Sequence, residues 1–488
     1  MSTAVVVGSG PNGLAAAVRL AQEGVDVTVL EAAGVIGGGT RTSELTPGLL
    51  HDHCCAVHSM TVGSPFLRTL GLERFGLRWC LPEVDCAHPL DSGEAGVLLR
   101  SVRDTADGLG GRDGWRWLRL FGPLADGFDA LAGDVLGPLT RVPDHPLLWA
   151  RFGAPALLPA DRVARLWHTD TARALFGGAA AHAFRPLDRP ATAAIGLSVI
   201  AAGHRHGWPV AAGGSRAVSD ALAALLGELG GRIETGVRVR SASGLPPADV
   251  VVFDLAPGAV ADLLGDRLPD RVARAYRRYR HGPGAFKVDF AVEGGVPWTA
   301  RAARRAGVVH VGGRFEEVAA AESDVHRGRL PERPFVVVGQ QYLADPSRSA
   351  GGRHPVWSYA HVPAGYDGDA TEVIVRQIER FAPGFRERIV GRVARTPAEF
   401  EEYNPNFVGG DIVTGANTVR QLLARPRFAL DPYATGVPGM FICSAATPPG
   451  AGAHGMCGAW AAESALRHLA RVRTRAGRGR RSTRVLVG

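Results

Sequence analysis

Residues 2–42 read STAVVVGSGPNGLAAAVRLAQEGVDVTVLEAAGVIGGGTRT, and this stretch decides the fold. Ala4 to Val7 is a short continuous apolar run, the pattern of a parallel strand buried on both faces. Gly8-Ser-Gly10-Pro11-Asn12-Gly13 follows, and the alanine-rich run from Leu14 to Gln22 has helical composition. Gly24 closes that helix, and Val25 to Leu30 is a second β-branched strand ending on Glu31. Strand, G-x-G-x-x-G turn, helix, strand and acid therefore come in the order of a dinucleotide-binding βαβ unit. The glycines allow a tight turn and a close backbone approach to a pyrophosphate at the helix N-terminus. Glu31 can accept hydrogen bonds from ribose hydroxyls, which favours an adenosine without a 2′-phosphate.

Working outward, Gly34-Val-Ile-Gly37-Gly38-Gly39-Thr40-Arg41-Thr42 is a second glycine cluster with an arginine. It offers further backbone N–H groups and a guanidinium to the same phosphates. A domain that binds only NAD does not need it, whereas a protein that buries FAD uses it, so FAD is the expected cofactor. Further on, a helix over Ala217–Leu229, a strand-like run over Arg232–Arg240 and a buried strand over Ala248–Asp254 read as a return to the same domain. Val237 is placed there to hold the adenine through its backbone. A last return runs from Met440–Cys443 through the loop Ser444–Gly455 into a helix from Met456 to about residue 471. Twelve residues rich in Gly, Pro and Ala are long for a plain strand–helix connection. The loop and helix start are expected at the flavin, with the helix N-terminus favouring negative charge there.

Between these returns the character changes. Residues from Pro65 to about Arg205 are rich in Leu, Ala, Trp and Pro with helical periodicity, and predict a helical cap over a substrate cavity. Ala285–Val292 alternates like a strand, and Phe335–Gln340 and Val356–His361 read as its neighbours in an antiparallel sheet. A helix is expected over Thr371–Phe381. The fold class is therefore α/β, a Rossmann-like FAD-binding domain interleaved with an α+β substrate domain. The expected boundaries are 1–75, 205–278 and 415–470 for the first, 76–204 and 279–414 for the second, and a basic tail over 471–488.

At 488 residues the chain is long enough for two large cores. No run supplies the roughly 20 apolar residues of a membrane-spanning helix. The first strand begins at residue 4, so a cytoplasmic protein without a leader is expected. The net charge of +8 comes largely from arginine, much of it in the tail RVRTRAGRGRRSTR over 471–484. That tail reads as a solvated, disordered terminus, with contact to an anionic or membrane surface the lesser reading. No nucleic-acid-binding module is present in the pattern. The six cysteines form no C-x-x-C, and His51, His53 and His58 lack the companions of a metal site. No metal is expected.

Of the 55 Lys and Arg residues, only Lys287 is a lysine. A chain that uses arginine everywhere else keeps lysine where a compact, flexible ammonium is needed. Lys287 is therefore a candidate to hydrogen-bond flavin N5 directly or through water. His454, His204 and Tyr403 are candidate bases, because each lies in or beside a segment expected at the cavity and histidine titrates in the right range.

Three stretches together resemble the FAD-dependent phytoene-dehydrogenase-like oxidoreductases, relatives of the flavin amine oxidases. They are VVVGSGPNGLAAA…LEAAGVIGGGTRT, then Asn404–Asp411 (NPNFVGGD) with Arg420–Pro426 (RQLLARP), and Pro438–Gly455 (PGMFICSAATPPGAGAHG). The resemblance implies that Gly8, Gly10, Pro11, Asn12, Gly13, Glu31, Gly38, Gly39, Arg41 and Val237 hold FAD, with Gly455 and Met456 beside the flavin. It places Lys287 where related amine oxidases carry their flavin-N5 lysine. Two departures, Ala-Ala-Thr-Pro-Pro ahead of His454 and Leu50-His-Asp-His-Cys, lie near the expected flavin, so the substrate does not follow from the family. The implied activity is hydride removal from a C–H bond of a small molecule, beside nitrogen or carbon, with O2 or another electron acceptor. A flavin-dependent isomerase or cyclase is the alternative, and a catalytically dead FAD-binding protein a third reading. The oligomeric state is open.

Overall fold

The computed structural model describes the backbone of residues 1–484 and the side chains of residues 1–474. The opening stretch forms strand β1 (Thr3–Val7), helix α1 (Pro11–Gln22) and strand β2 (Asp26–Leu30). β1 lies in the middle of a five-stranded sheet, with β2 and Arg232–Glu234 on one side and Val250–Phe253 and Met440–Ile442 on the other. Every pairing is parallel. Residues that are far apart in sequence meet here because a short Val-rich strand buries both faces only when helices cover it on each side. The order reverses at β1, the topological switch point beyond whose strand ends such sheets bind ligands. Arg232–Arg240 is a strand only over Arg232–Glu234; beyond Gly236 the chain runs along the end of β2.

Helix α1 is buried by the helix Met456–Arg484, and glycine makes the approach possible. A Cβ at Gly458 would lie 1.9 Å from the Asn12 carbonyl oxygen. That second helix runs to Arg484, past the end expected near residue 471, because its opening half presents Ala461, Ala462, Ala465 and Leu469 to the core. The remainder of the expected disordered tail, including all side chains beyond Thr474, lies outside the described residues.

The second sheet has seven strands in the order Ile389–Arg395, Gly284–Glu293, Arg353–Val362, Val336–Gly339, Ala306–Val311, Val84–Pro89, Ala95–Leu98. It is mixed rather than antiparallel, because Ala306–Val311 runs parallel to Val84–Pro89. Period-two alternation divides its side chains. Phe286, Val288, Val338 and Val356 pack with Ile374, Val375, Ile378 and Phe381 of the helix Thr371–Phe381. The opposite face carries Cys86, Val308, Val337, Trp357 and Tyr359 and joins the core of the helical cap. The cap contains the helices Gly111–Asp126, Asp170–Ala181 and Ala193–His206, gathered around Trp117, Phe121, Trp167 and Phe176. The stretch from Pro65 to Arg205 is thus not all helical: the hairpin Val84–Leu98 leaves it to complete the sheet.

Candidate active site

One cavity of about 1230 Å³ joins the two halves of the molecule. Pockets for single drug-sized ligands span roughly 300–1,000 Å³, so this one has room for a large cofactor and a substrate together. At one end its wall is built from chain leaving the carboxyl ends of the parallel strands: Gly8–Asn12 after β1, Glu31–Ala33 after β2, Asp254 after Val250–Phe253, and Ser444–Ala445 after Met440–Ile442. At the other it is built from the cap and the seven-stranded sheet, including Phe152, Phe184, Trp208, Val337, Trp357 and Tyr359.

The first glycine loop is a cradle that no other residue type allows. Gly8 sits at φ +104°, and a Cβ at Gly13 would lie 2.1 Å from the Gly8 carbonyl oxygen. The second glycine cluster folds onto the first: Gly38 has φ +50°, and a Cβ there would lie 3.1 Å from Gly10 Cα. Helix α1 opens with no side-chain cap from Gly10 and no acid in its first turn; Pro11 has no N–H, the Gly13 N–H is taken by Asp254, and Asn12 lines the cavity wall. Four wall residues also carry buried polar atoms that find no partner in the protein: Asn12 Oδ1, Thr414 Oγ1 and Ser444 Oγ, and Trp357 Nε1 on the seven-stranded sheet. A ligand rich in phosphate, hydroxyl and amide groups suits that donor and acceptor set, and the glycine cradle matches a diphosphate. FAD fits this end of the cavity.

The placement of the individual cofactor candidates refines the picture. Gly8, Gly10, Pro11, Asn12, Glu31, Gly38, Gly39, Arg41 and Val237 line the cavity, whereas Gly13, Gly455 and Met456 stand behind its wall. Glu31 accepts from Ser9 N at 2.9 Å, Ser9 Oγ at 2.6 Å, Ala33 N at 2.8 Å and Arg41 at 3.3 Å. A carboxylate has about four acceptor sites, so within the protein Glu31 ties both glycine loops together. Arg41, the longest of the four contacts, is the one a ribose hydroxyl would displace. Val237 spends its N–H on the Glu31 carbonyl at 2.8 Å, leaving its carbonyl and side chain for the cavity. Gly455 packs on helix α1, where its Cβ would lie 2.9 Å from Ala15 Cβ. The Met456 N–H donates to His454 Nδ1 at 3.1 Å, so the first N–H of that helix is taken by the protein's own histidine.

Asp254 was not singled out by sequence, although its place after a buried strand is the signal that finds it. Its Oδ2 accepts from Gly13 N at 3.0 Å. Burial pushes the carboxyl up to about 7, with the Gly13 N–H opposing and the Glu31 charge adding to the rise. A carboxyl whose folded pKa exceeds its unfolded value of about 4 stabilises the fold in its protonated form, fully below that value and progressively less as pH rises through 7. Asp254→Asn keeps an acceptor for Gly13 without the charge. It is expected to remove this decline in apoprotein stability between about pH 4 and pH 7 and to tighten FAD at pH 8, measured by thermal denaturation and flavin fluorescence titration.

The candidate catalytic residues separate into two groups. Lys287 and His204 are absent from the wall. Lys287 is buried with its ammonium bonded to Asp289, and its Nζ lies 5.8 Å over the ring of Trp357, which does line the cavity. Burial lowers its pKa while the Asp289 charge opposes; the lysine is paired with Asp289 behind an aromatic wall. His204 is a packing residue of the cap. Trp117 Nε1 donates to its Nε2 at 2.9 Å, its Nδ1 meets the Leu99 carbonyl at 2.9 Å, and burial lowers it to about 4. His204→Phe leaves the Trp117 N–H and the Leu99 carbonyl without their partner. It is expected to cost about 1–3 kcal/mol in thermal or denaturant unfolding, with an unchanged flavin spectrum.

Tyr403 and His454 do line the cavity, yet each already has a polar partner within the protein. Tyr403 donates its hydroxyl to the Gly38 carbonyl at 2.5 Å, stacks on His53, and has its pKa raised by burial, with Arg41 opposing. His454 is buried, held through Met456 N, and lowered by burial to about 4. The histidines of the 51–58 stretch are dispersed in the same way. His53 meets Ser43 Oγ at 2.6 Å, His58 meets Ser215 Oγ at 2.8 Å, and His51 meets the Phe290 carbonyl at 3.2 Å. Among the described residues no cluster could hold a metal ion, no helix is long and apolar enough to cross a membrane, and all six cysteines are unpaired.

Backbone strain concentrates at the same cavity. The three non-glycine residues with positive φ among those described are Phe184 (53°), Ala191 (65°) and Thr414 (54°). All three line it. Such conformations each cost of the order of 1–3 kcal/mol and cluster where ligands are held.

Residues 6–69 match the NAD(P)-binding Rossmann-like domain family. The chain is 31% identical to a hydroxyneurosporene desaturase of Cereibacter sphaeroides over 302 residues, spanning 55% of this chain and 59% of the desaturase. It is 25% identical to a neurosporene-forming phytoene desaturase of Rhodobacter capsulatus over 94% of this chain and 92% of that enzyme. In three dimensions it resembles a putrescine oxidase bound to putrescine, with a TM-score of 0.61 and 17% identity, covering 96% of this chain and 99% of the oxidase. Together with the cradle and the sheet that carries it, these likenesses support FAD as the cofactor. The chain is similar to the phytoene-dehydrogenase-like FAD-dependent oxidoreductases in sequence and shares the fold of the flavin amine oxidases.

Proposed function

We propose that the chain is a dehydrogenase or oxidase that removes hydride from a C–H bond of a largely apolar small molecule. The observation that carries this reading is the continuity of one cavity from the glycine cradle to an aromatic cap. Bound FAD supplies the hydride acceptor at N5. The protein's own part is to orient and to exclude water. The aromatic wall of Phe152, Phe184, Trp208 and Trp357 takes the substrate's apolar frame. Positioning a donor carbon in this way provides most of the rate in such a reaction.

Gly8, Gly10, Pro11, Asn12, Gly38, Gly39 and Arg41 would hold the diphosphate and the chain leading from it, and Glu31 and Val237 the adenosine. Gly13, Gly455 and Met456 support that cradle from behind, and Tyr403 and His454 border it. Lys287, paired with Asp289, would set the field behind Trp357 rather than touch the cofactor. With Tyr403 and His454 already partnered within the protein, a substrate whose proton stays on its own heteroatom is favoured. Oxidation at C–N meets this condition, because hydride loss leaves the proton on nitrogen; desaturation of C–C also releases a C–H proton and would need a water admitted beside the substrate to take it. Either would pass its electrons to O2 or another electron acceptor.

The FAD unit would comprise residues 1–75, 205–278 and 415–470, covered by 76–204 and 279–414. The setting would be cytoplasmic, in bacterial specialised metabolism. The isomerase or cyclase reading gains nothing beyond the shared fold. The test is anaerobic mixing of flavin-loaded protein with panels of apolar amines, alcohols and polyenes. Bleaching of the flavin by one class, reversed on admitting air or an artificial acceptor, is expected. Product formed with no change in flavin redox state and no acceptor would overturn the proposal in favour of isomerisation.

A further inference from the structure

The cap and the seven-stranded sheet place two joined polar side chains in a largely aromatic and aliphatic part of the cavity wall, whose unpartnered buried polar atom is Trp357 Nε1. His182 follows the helix Asp170–Ala181, and Tyr359 lies on the strand Arg353–Val362. Both line the cavity, and His182 Nδ1 is 3.3 Å from Tyr359 Oη. His182 is half-buried although it sits deep in the molecule, because its open surface faces the cavity. Around them stand Phe184, Trp208, Val308, Val337 and Trp357.

The pair is one end of a longer chain. His182 Nε2 is 3.0 Å from His310 Nε2, and His310 Nδ1 is 3.5 Å from Cys86 Sγ. Gly178 lets the cap helix close over it, since a Cβ there would lie 2.6 Å from His310 Nδ1 and 2.7 Å from His88 Nδ1.

The order of the protons follows from the inner end. Burial keeps the Cys86 thiol and the Tyr359 phenol protonated by raising both pKa values, and keeps both imidazoles neutral, lowering His182 to about 3 and His310 well below its usual range. The thiol has a single proton and chooses between His310 Nδ1 at 3.5 Å and the Ala87 carbonyl at 3.8 Å. The imidazole nitrogen is nearer, and the opposite arrangement would ask a weakly accepting sulfur to receive an N–H. His310 then carries its proton on Nε2 and donates to His182 Nε2. His182 carries its proton on Nδ1 and donates to Tyr359 Oη. The Tyr359 proton is left for the cavity, and each donor in the series strengthens the next.

We propose that this chain ends in a subsite for a carbonyl oxygen, where Tyr359 Oη–H donates to a carbonyl group carried on the substrate's apolar frame. The inference rests on the reading of the cavity as a flavoenzyme's substrate pocket. It narrows the substrate to compounds that carry a carbonyl beside an aromatic or alicyclic frame. Tyr359 is the group that touches it, and His182 and His310 act through Tyr359 as positioning residues.

The test uses flavin-loaded protein and two near-isosteric probes, acetophenone and ethylbenzene, compared by calorimetry. The bound ketone is also followed by difference infrared spectroscopy of a 13C-labelled carbonyl. Acetophenone is expected to bind about tenfold more tightly, the size of one net hydrogen bond, with its stretch shifted to lower frequency than in hexane. Tyr359→Phe should abolish the infrared shift and most of the preference while leaving ethylbenzene affinity unchanged. His182→Phe should reduce the shift, and His182→Gln, whose amide can still donate to Tyr359, should restore it. Equal affinities in the unaltered protein, an unshifted stretch, a preference that survives Tyr359→Phe, or failure of both probes to bind would each overturn the inference. A protein that cannot be loaded with FAD would overturn the flavoenzyme reading instead.

Discussion

Replacing Gly13 with valine is expected to give a protein that purifies without flavin and does not take it up when FAD is added. A Cβ at this position would lie 2.1 Å from the Gly8 carbonyl oxygen, 3.0 Å from the Gly8 carbonyl carbon and 3.1 Å from Asp254 Oδ2. None of the first two contacts can move alone. Gly8 is in the left-handed region at φ +104°, and its N–H is fixed to the Leu30 carbonyl at 2.8 Å. On the other side, helix α1 is pressed against the helix that begins at Met456, where a Cβ at Gly458 would lie 1.9 Å from the Asn12 carbonyl. The helix N-terminus must therefore tilt away from the loop, and the N–H groups meant for a diphosphate no longer converge. A loss of FAD affinity of more than about 100-fold, or about 2.8 kcal/mol, is expected. Flavin fluorescence titration reads the affinity, and circular dichroism separates lost binding from lost folding. Gly24→Ala is the control: its φ is +73° but nothing lies within 4 Å, so only a small cost in stability and no loss of flavin are expected.

Arg348→Met is expected to be the most destabilising single change in the junction between the two halves. Arg348 is buried and bonds Asp52 at 2.6 Å, Asp345 at 3.1 Å and the Ala211 carbonyl at 2.7 Å. Asp52 closes the hairpin behind the second glycine cluster and also accepts from Thr42 Oγ1 at 2.6 Å and Ser215 N at 2.7 Å. Asp345 accepts from Gly213 N at 2.8 Å. The arginine thus ties the FAD hairpin, the returning chain and the substrate domain at one point. Removing it leaves two buried carboxylates without their cation, a loss of about 3–5 kcal/mol at neutral pH. The pH dependence has a definite sign. Burial alone would raise the Asp52 pKa, but Arg348, Thr42 and Ser215 hold it below the usual carboxylate range. A depressed folded pKa contributes stability that is present above the unfolded value of about 4 and lost as pH falls through the folded one. The stability difference between the unaltered protein and Arg348→Met should therefore shrink toward acid pH, measured by denaturant unfolding. A difference that is constant with pH would show that packing, not charge, carries the effect.

The dinucleotide half was legible because its signals are local. A run of valines, a glycine at the left-handed turn and an acid after the second strand each act within a few residues, and the later strands Val250–Phe253 and Met440–Ile442 repeat the same apolar pattern. The hairpin at 84–98 was hidden by its composition. Val-Asp-Cys-Ala-His-Pro is buried at every position, so it shows neither alternation nor a purely apolar run, and it lies inside a helical stretch. The pairing of Lys287 was available in principle, because Lys-Val-Asp on a strand puts Lys287 and Asp289 on the same face. The rarity of lysine in this chain drew the reading toward the cofactor, while alternation pointed to a partner two residues away. His182 and His310 carried no such sign. Each is a single histidine in an alanine- or valine-rich run, and only the packing of the cap helix across the sheet brings them to 3.0 Å. His204 shows the converse: a histidine in a promising segment becomes a core residue once a tryptophan N–H and a carbonyl take both nitrogens.

The most direct measurement is the flavin content of the purified protein. The protein is reconstituted with FAD if necessary, desalted and precipitated with acid. The expected result is a visible flavin spectrum, on the order of one FAD per chain as a buried cofactor requires, released into the supernatant as FAD. A protein that stays colourless after incubation with FAD, or that retains NAD in its place, would contradict the assignment of the cavity and of the family chemistry with it.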